Sequence, residues 1–263
     1  MSALRLWLAM TALAALLGCG ARGENDRETV WQVSVIPALM EGDYEGSAAC
    51  GELRAHGDFG IGTFDALDGE MIVEGGIVYR AAADGSVSRV EDSRTTPFAA
   101  VTFFEADCVA TPAGTLDLAA LERTLDAMPG AKNTPCAVMV FGHFRRVQIR
   151  SVPRQEKPYP RLADAVKRQS VSELRDVVGG LVGFRMPAWA RGVNVPGLHL
   201  HFLNGDYTRG GHVLSFEADA CSVTVDFCRG LEVRVPDTPG FRRVNLAPPQ
   251  DAELDRVEKP AGE

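Results

Sequence analysis

The stretch "GLHLHFLNGDYTRGGHVLSF", residues 197–216, decides how this chain is read. Leu198, Leu200 and Phe202 alternate with His199 and His201, the period of two that places one set of side chains on each face of a β-strand. A glycine-containing loop, Asn204 to Gly211, follows, and a second apolar strand pattern resumes at His212. If the loop returns the chain antiparallel, His212 lands beside the His199–His201 pair. Three of the chain's five histidines then share one strand face. Three imidazoles with a fourth position open suit a catalytic zinc, and copper, iron and nickel also accept imidazole. The bland alternative is a polar strand face that holds no ion.

The same rhythm continues outward on both sides. "VWQVSVIPAL" has strand composition, and "GDFGIGTFDALDGEMIVEGGIVYRAAADGSVSRV" is a series of short β-branched runs broken by glycine and Asp-Gly turns. "LDLAALERTLDAM" is the clearest helix, with Leu118, Leu121, Leu125 and Met128 at helical spacing, Asp117 as cap and Pro129-Gly130 as stop. "CAVMVFGHFRRVQIRSV" alternates like a strand, the proline-rich "SVPRQEKPYPRL" reads as a linker, and "RLADAVKRQ" as a short helix. Strand patterns return in "VVGGLVGFRMP", "GHVLSFEA", "CSVTVDF" and "LEVRVP", and "DAELDRVEK" closes with a helical turn or two. The fold class is therefore α+β: two β-rich lobes with mixed or antiparallel sheets and few short helices. The expected division is an N-terminal lobe over 31–150 and a C-terminal, histidine-bearing lobe over 151–263.

The first thirty residues carry an address. Arg5 precedes an apolar run from Leu6 to Leu17 that is short for a membrane span, and Leu16-Leu17-Gly18-Cys19 is similar to a bacterial lipobox. On this reading residues 1–18 are a lipoprotein signal peptide, Cys19 is the acylated residue, and 19–30 form a polar tether. The chain is then exported to the periplasm or cell envelope, with Gly20 after the cysteine favouring the outer membrane. The alternatives are an ordinary signal cut near Gly20–Ala21 and an uncut anchor. Five cysteines remain, Cys50, Cys108, Cys136, Cys221 and Cys228. An odd number leaves at least one thiol free or paired between chains, and no CxxC offers a thiolate metal site.

Charge and missing motifs narrow the function. A net charge of −8 argues against a surface that grips nucleic acid or anionic lipid through its field. There is no HExxH, GxSxG or Walker-type loop, and "GDFGIG" lacks both the GxGxxG order and a following helix. His56 and His143 stand apart from the cluster and read as structural.

Three segments, "GDFGIGTFDALDGEMIV", "RSVPRQEKPYPRL" and "GLHLHFLNGDYTRGGHVLSF", together resemble the bacterial α-acetolactate decarboxylase family, in the family's order and across roughly Trp31 to Glu258. The resemblance implies a zinc enzyme, a homodimer, that converts 2-acetolactate to (R)-acetoin and carbon dioxide. It implies His199, His201 and His212 as ligands of Zn2+, Glu70 as an active-site glutamate with Thr63 beside it as a substrate contact, and Arg150 as a catalytic or substrate-binding residue. A C-terminal glutamate is implied as well; Glu258 fits best, with Glu253 close by. The residue types suit the chemistry. A metal is a Lewis acid for the hydroxyl and carbonyl oxygens, an arginine fork holds a carboxylate, and a glutamic acid can reprotonate the enediolate left when carbon dioxide departs. The rival readings are an exported three-histidine metallohydrolase, a non-catalytic metal-binding lipoprotein, and a DNA-binding or scaffold domain with a similar histidine-bearing β-fold. Acidity, the leader, Glu70 and Arg150 count against the last.

Overall fold

The computed structural model describes residues 27–246 and 251–258, and two sheets dominate it. The first sheet draws on β1 (Thr29–Val33), β3 (Phe59–Thr63), β4 (Glu70–Glu74), β5 (Ile77–Ala81), β6 (Val87–Arg89), β8 (Ala99–Thr102) and β14 (Gly230–Arg234). Their spatial order is β14-β1-β8-β3-β4-β5-β6, antiparallel except for the parallel pairing of β1 with β14. The second sheet contains β9 (Cys108–Ala110), β10 (Cys136–Ser151), β11 (Ser170–Met186), β12 (Gly197–Asn204) and β13 (Gly210–Phe227). All its pairings are antiparallel, and β13 also bonds to β10, so the four long strands close on themselves. β2 (Ala48–Ala49) and β7 (Thr95–Thr96) make a two-stranded accessory. The helices are short: α1 (Ile36–Met40), α2 (Cys50–Leu53), α3 (Leu118–Asp126), α4 (Leu162–Ala165) and α5 (Asp251–Glu258). An α+β fold with a mixed and an antiparallel sheet is what the alternating runs implied.

Period-two patterning explains which faces meet. In the second sheet Val138, Val140, Leu181, Leu200 and Phe202 point to one side and bury with Leu121 and Leu125 of α3. Asp117 caps that helix by accepting the Ala120 N–H at 2.7 Å. The opposite face turns Ala137, Val182, Phe184 and Met186 onto Phe59, Ile61 and Ile72 of the first sheet. Phe59 meets Phe184 edge-on, ring centres 6.1 Å apart. In "GDFGIG" Gly60 and Gly62 belong to β3: a Cβ on Gly60 would lie 2.2 Å from the Ala100 carbonyl of β8. They serve close strand approach.

Three expectations change in detail. The sheets do not divide the chain at 150/151, because β9 and β10 precede that point yet belong to the second sheet, and β14 follows it yet returns to the first. The proline-rich segment is packed against its surroundings: Val152 and Gln155 are buried, and Gln155 N–H donates to the Ala66 carbonyl at 2.7 Å. The tether expected over 19–30 does not include its last two residues, since Thr29 and Val30 lie in β1 and Val30 is fully buried. The expected signal peptide over 1–18 and Cys19 lie outside the described residues. Cys50, Cys108, Cys136, Cys221 and Cys228 are all free thiols.

Candidate active site

The histidine hairpin folds as its alternation requires. β12 and β13 pair antiparallel with His201 opposite His212, and His199 sits two residues back on the same face. The three ring centres lie 5.0 to 5.5 Å apart. One nitrogen from each ring falls within 4.8 Å of the others. Gly211 permits this approach, as a Cβ there would stand 2.7 Å from the Arg150 carbonyl of β10.

The electrostatics favour metal binding. Burial, aided by the Arg150 charge, drops the His199 pKa to about 3, and burial pulls His201 and His212 well below their ordinary value. All three rings are neutral near pH 7, as ligation needs. The Met71 carbonyl accepts the His201 Nδ1–H at 2.8 Å, which turns Nε2 inward. The inward Nε2 atoms of His201 and His212 are buried with no partner. Buried polar atoms are rarely left so, and three convergent imidazoles, two of them with orphaned nitrogens, fit a divalent transition-metal ion.

Two carboxyls flank the triad. Glu70, the first residue of β4 and the pairing partner of Thr63, brings Oε2 to 3.7 Å from His201 Nε2. Glu258, the last residue of α5, brings Oε2 to 3.6 Å from His199 Nε2 and 3.9 Å from His212 Nε2. Burial raises both above the usual carboxylate range, Glu70 to about 7, where the Arg150 charge pulls down and Glu258 pushes up. Glu253 is turned away and accepts from Arg161 at 2.9 Å. Arg150 pairs with His212 across the strands and is 5% exposed, an unusual place for a guanidinium. Its Nη1 donates to Gln169 Oε1 at 3.1 Å, and its Nε is buried without a partner. Thr63 lines the chamber, but its hydroxyl proton is already given to the Gly69 carbonyl at 2.8 Å, which closes the turn before Glu70.

Every residue expected at the site from the sequence therefore faces one chamber, except Cys19, which lies outside the described residues. The chamber's empty space, mouth included, is about 440 Å³. Pattern reading missed its apolar walls, among them Ile36, Leu39, Leu67, Phe98 and Leu162. In sequence they are indistinguishable from core residues. It also missed Gln169 and the Met71 carbonyl, for which no local signal exists. His56 stacks on Trp31 at 4.0 Å, and His143 lies 3.9 Å from Asp176, both away from the triad.

Three neutral imidazoles, two buried carboxyls and a buried guanidinium in a small apolar chamber define an enzyme site of the metal-assisted kind, scaled to a small anion. Comparison with known proteins makes this specific. The family model for alpha-acetolactate decarboxylase matches residues 30–248. The chain is 44% identical to the alpha-acetolactate decarboxylase of Methanosarcina mazei over 89% of its own length and 82% of the relative's. It is 41% identical to that of Methylococcus capsulatus over 90% of each chain. Among solved structures, the alpha-acetolactate decarboxylase of Bacillus subtilis strain 168 superposes with a TM-score of 0.86 at 35% identity, covering 88% of this chain and all of that one. The chain belongs to the alpha-acetolactate decarboxylase family, and its enzymatic class is carboxy-lyase.

Proposed function

We propose that the chain converts 2-acetolactate to (R)-acetoin and carbon dioxide with zinc on His199, His201 and His212, as the family resemblance implies. The observation that carries the reading is the convergence of orphaned polar atoms: the Nε2 atoms of His201 and His212, Oε2 of Glu258 and Nε of Arg150 are buried, without partners, around one chamber. Bound there, the ion supplies Lewis-acid stabilisation for the hydroxyl and carbonyl oxygens of the substrate. Arg150 holds the substrate carboxylate, and its fixed charge orients the C–C bond that breaks. Loss of carbon dioxide leaves the electron pair of that bond in an enediolate. The apolar walls exclude bulk water, so the proton that returns to carbon comes from a protein group on one face, which accounts for a single product configuration. Glu70 and Glu258, both shifted toward the protonated form, are the donors within reach; Thr63 offers its hydroxyl oxygen as an acceptor.

The test uses purified mature chain and racemic 2-acetolactate, with and without a strong chelator. Acetoin above the spontaneous rate, lost on chelation and restored by zinc, is the expected result. A folded, metal-loaded protein that makes no acetoin would overturn it and favour the metallohydrolase or the metal-binding lipoprotein.

Two parts of the reading concern the whole chain. We propose acylation of Cys19 and an envelope location from the lipobox-like Leu16–Cys19, and a homodimer from the family. Among the described residues no helix is long and apolar enough to cross a membrane. The mass of the mature N-terminal peptide and light scattering of the purified chain test these points.

A further inference from the structure

Arg150 raises a question the triad does not answer: what fixes the rotation of a buried guanidinium? A guanidinium has five N–H donors in one plane, and a carboxylate is best held by the edge that carries Nε and Nη2. In this structure Nη1, away from that edge but in the same plane, donates to Gln169 Oε1 at 3.1 Å, whereas Nε is buried and unpartnered. The acceptor is a neutral amide, so it sets direction without cancelling charge. Glu in that place would pair with the guanidinium and compete with an anionic ligand.

The position of Gln169 follows from register. Ser170 pairs with Ser151 and Val171 with Arg150, so Gln169 sits just before the start of β11, two residues ahead of the arginine's pairing partner. Its backbone N–H donates to the Val166 carbonyl at 3.0 Å, closing the 3-10 turn Val166–Arg168 that follows α4. Leu162 of α4 is buried and lines the chamber, which ties this corner to the site. Gln169 is thus held by its own backbone and reaches in through its side chain.

We propose that Gln169 is a positioning residue for substrate recognition: by anchoring Nη1 it turns the Nε–Nη2 edge of Arg150 toward the chamber as a preformed fork for the carboxylate of a hydroxy acid. This rests on Arg150 being the carboxylate contact, and the experiment separates the two ideas.

Two inert probes are titrated into the zinc-loaded protein. One is 2-hydroxy-2-methylbutanoate, a hydroxy acid with no keto group and hence no route to decarboxylation. The other is butane-2,3-diol, which has the hydroxyls and no carboxylate. Hydrogen bonds to charged groups are worth about tenfold or more in affinity. Gln169→Leu should weaken the acid about tenfold, leave the diol and the zinc content unchanged, and raise KM for 2-acetolactate more than it lowers kcat. Gln169→Glu should weaken the acid at pH 8 and recover part of the loss at pH 5, where the added carboxyl is protonated. Arg150→Lys is the control for the underlying reading. If Arg150→Lys binds the acid as the parent does, the arginine is not the carboxylate contact. If Arg150→Lys loses the acid but Gln169→Leu keeps it, or loses acid and diol equally, the positioning role is overturned.

Discussion

Which side of a helix a carboxylate occupies decides between Glu253 and Glu258. Leu254 and Val257 are buried and mark the inward stripe of α5, and the two glutamates flank it on opposite sides: Glu258 reaches His199 and His212, whereas Glu253 reaches Arg161. We expect Glu258→Gln to lower kcat for acetoin formation on the order of 10²-fold or more, the loss typical of a removed general acid. Glu253→Gln should keep kcat within about threefold. Steady-state acetoin formation and zinc content per chain distinguish the two, and both variants should retain the metal. Equal losses would remove Glu258 from the reaction. Leu254 and Val257 lie midway between these glutamates in helical angle, so periodicity alone did not separate them, and the choice of Glu258 rested on the family resemblance. The metal triad was legible, since two histidines on one strand and a third after a turn form a purely local pattern. Gln169 and the Met71 carbonyl were not legible, because Gln169 meets Arg150 only once β10 and β11 are in register and Met71 meets His201 only once the two sheets pack.

At the scale of elements, alternation located most strands but not their lengths. "GHVLSFEA" and "CSVTVDF" read as two strands, yet they form one 18-residue β13. Ala218, Asp219 and Ala220 have little β preference, and pairing along β10 carries the strand through them with local register shifts. Long-range partners overrode local propensity there. Glycine does the converse work in β11, where it sets how near β12 can come. A Cβ on Gly183 would lie 2.0 Å from the His199 carbonyl, whereas one on Gly180, in the same strand, would meet nothing nearer than 3.7 Å. Gly183→Ala must therefore push away the strand that carries two of the three imidazoles. We expect it to weaken zinc binding at least tenfold, read by competition with a chromophoric chelator, and to lower the melting temperature. Gly180→Ala should stay within about twofold of the parent in the same titration. Similar affinities for both would mean that the hairpin does not depend on this approach.

The molecule as a whole is knit by the chain's return from the second sheet to the first, which no local pattern announces. β13 ends at Phe227, β14 begins at Gly230, and Asp226 is buried at that crossover with its carboxylate accepting the Glu105 N–H at 3.2 Å. This is why a division at 150/151 misplaces the sheets: "LEVRVP" was recognisable as a strand, but nothing in it says which sheet it joins. The crossover also has a pH signature. Burial raises the Asp226 pKa to about 7, the negative charges of Asp107, Glu28 and Glu105 add to the rise, and the Glu105 N–H offsets part of it. With the folded pKa above the unfolded one, the native state binds more protons than the unfolded state between about pH 4 and pH 7. Stability from this group is therefore full below about pH 4 and falls as pH rises toward 7, by on the order of 4 kcal/mol at most. Asp226→Asn keeps an acceptor for the Glu105 N–H and removes the titration. We expect the parent's denaturation midpoint to drop between pH 5 and pH 8 and the variant's to drop distinctly less, so that the variant gains on the parent as pH rises. The measurement is urea unfolding of both proteins across that range at fixed zinc. Parallel curves for the two would show that the carboxylate is ionised in the folded protein at little cost, and that the crossover is not the source of any alkaline loss of stability.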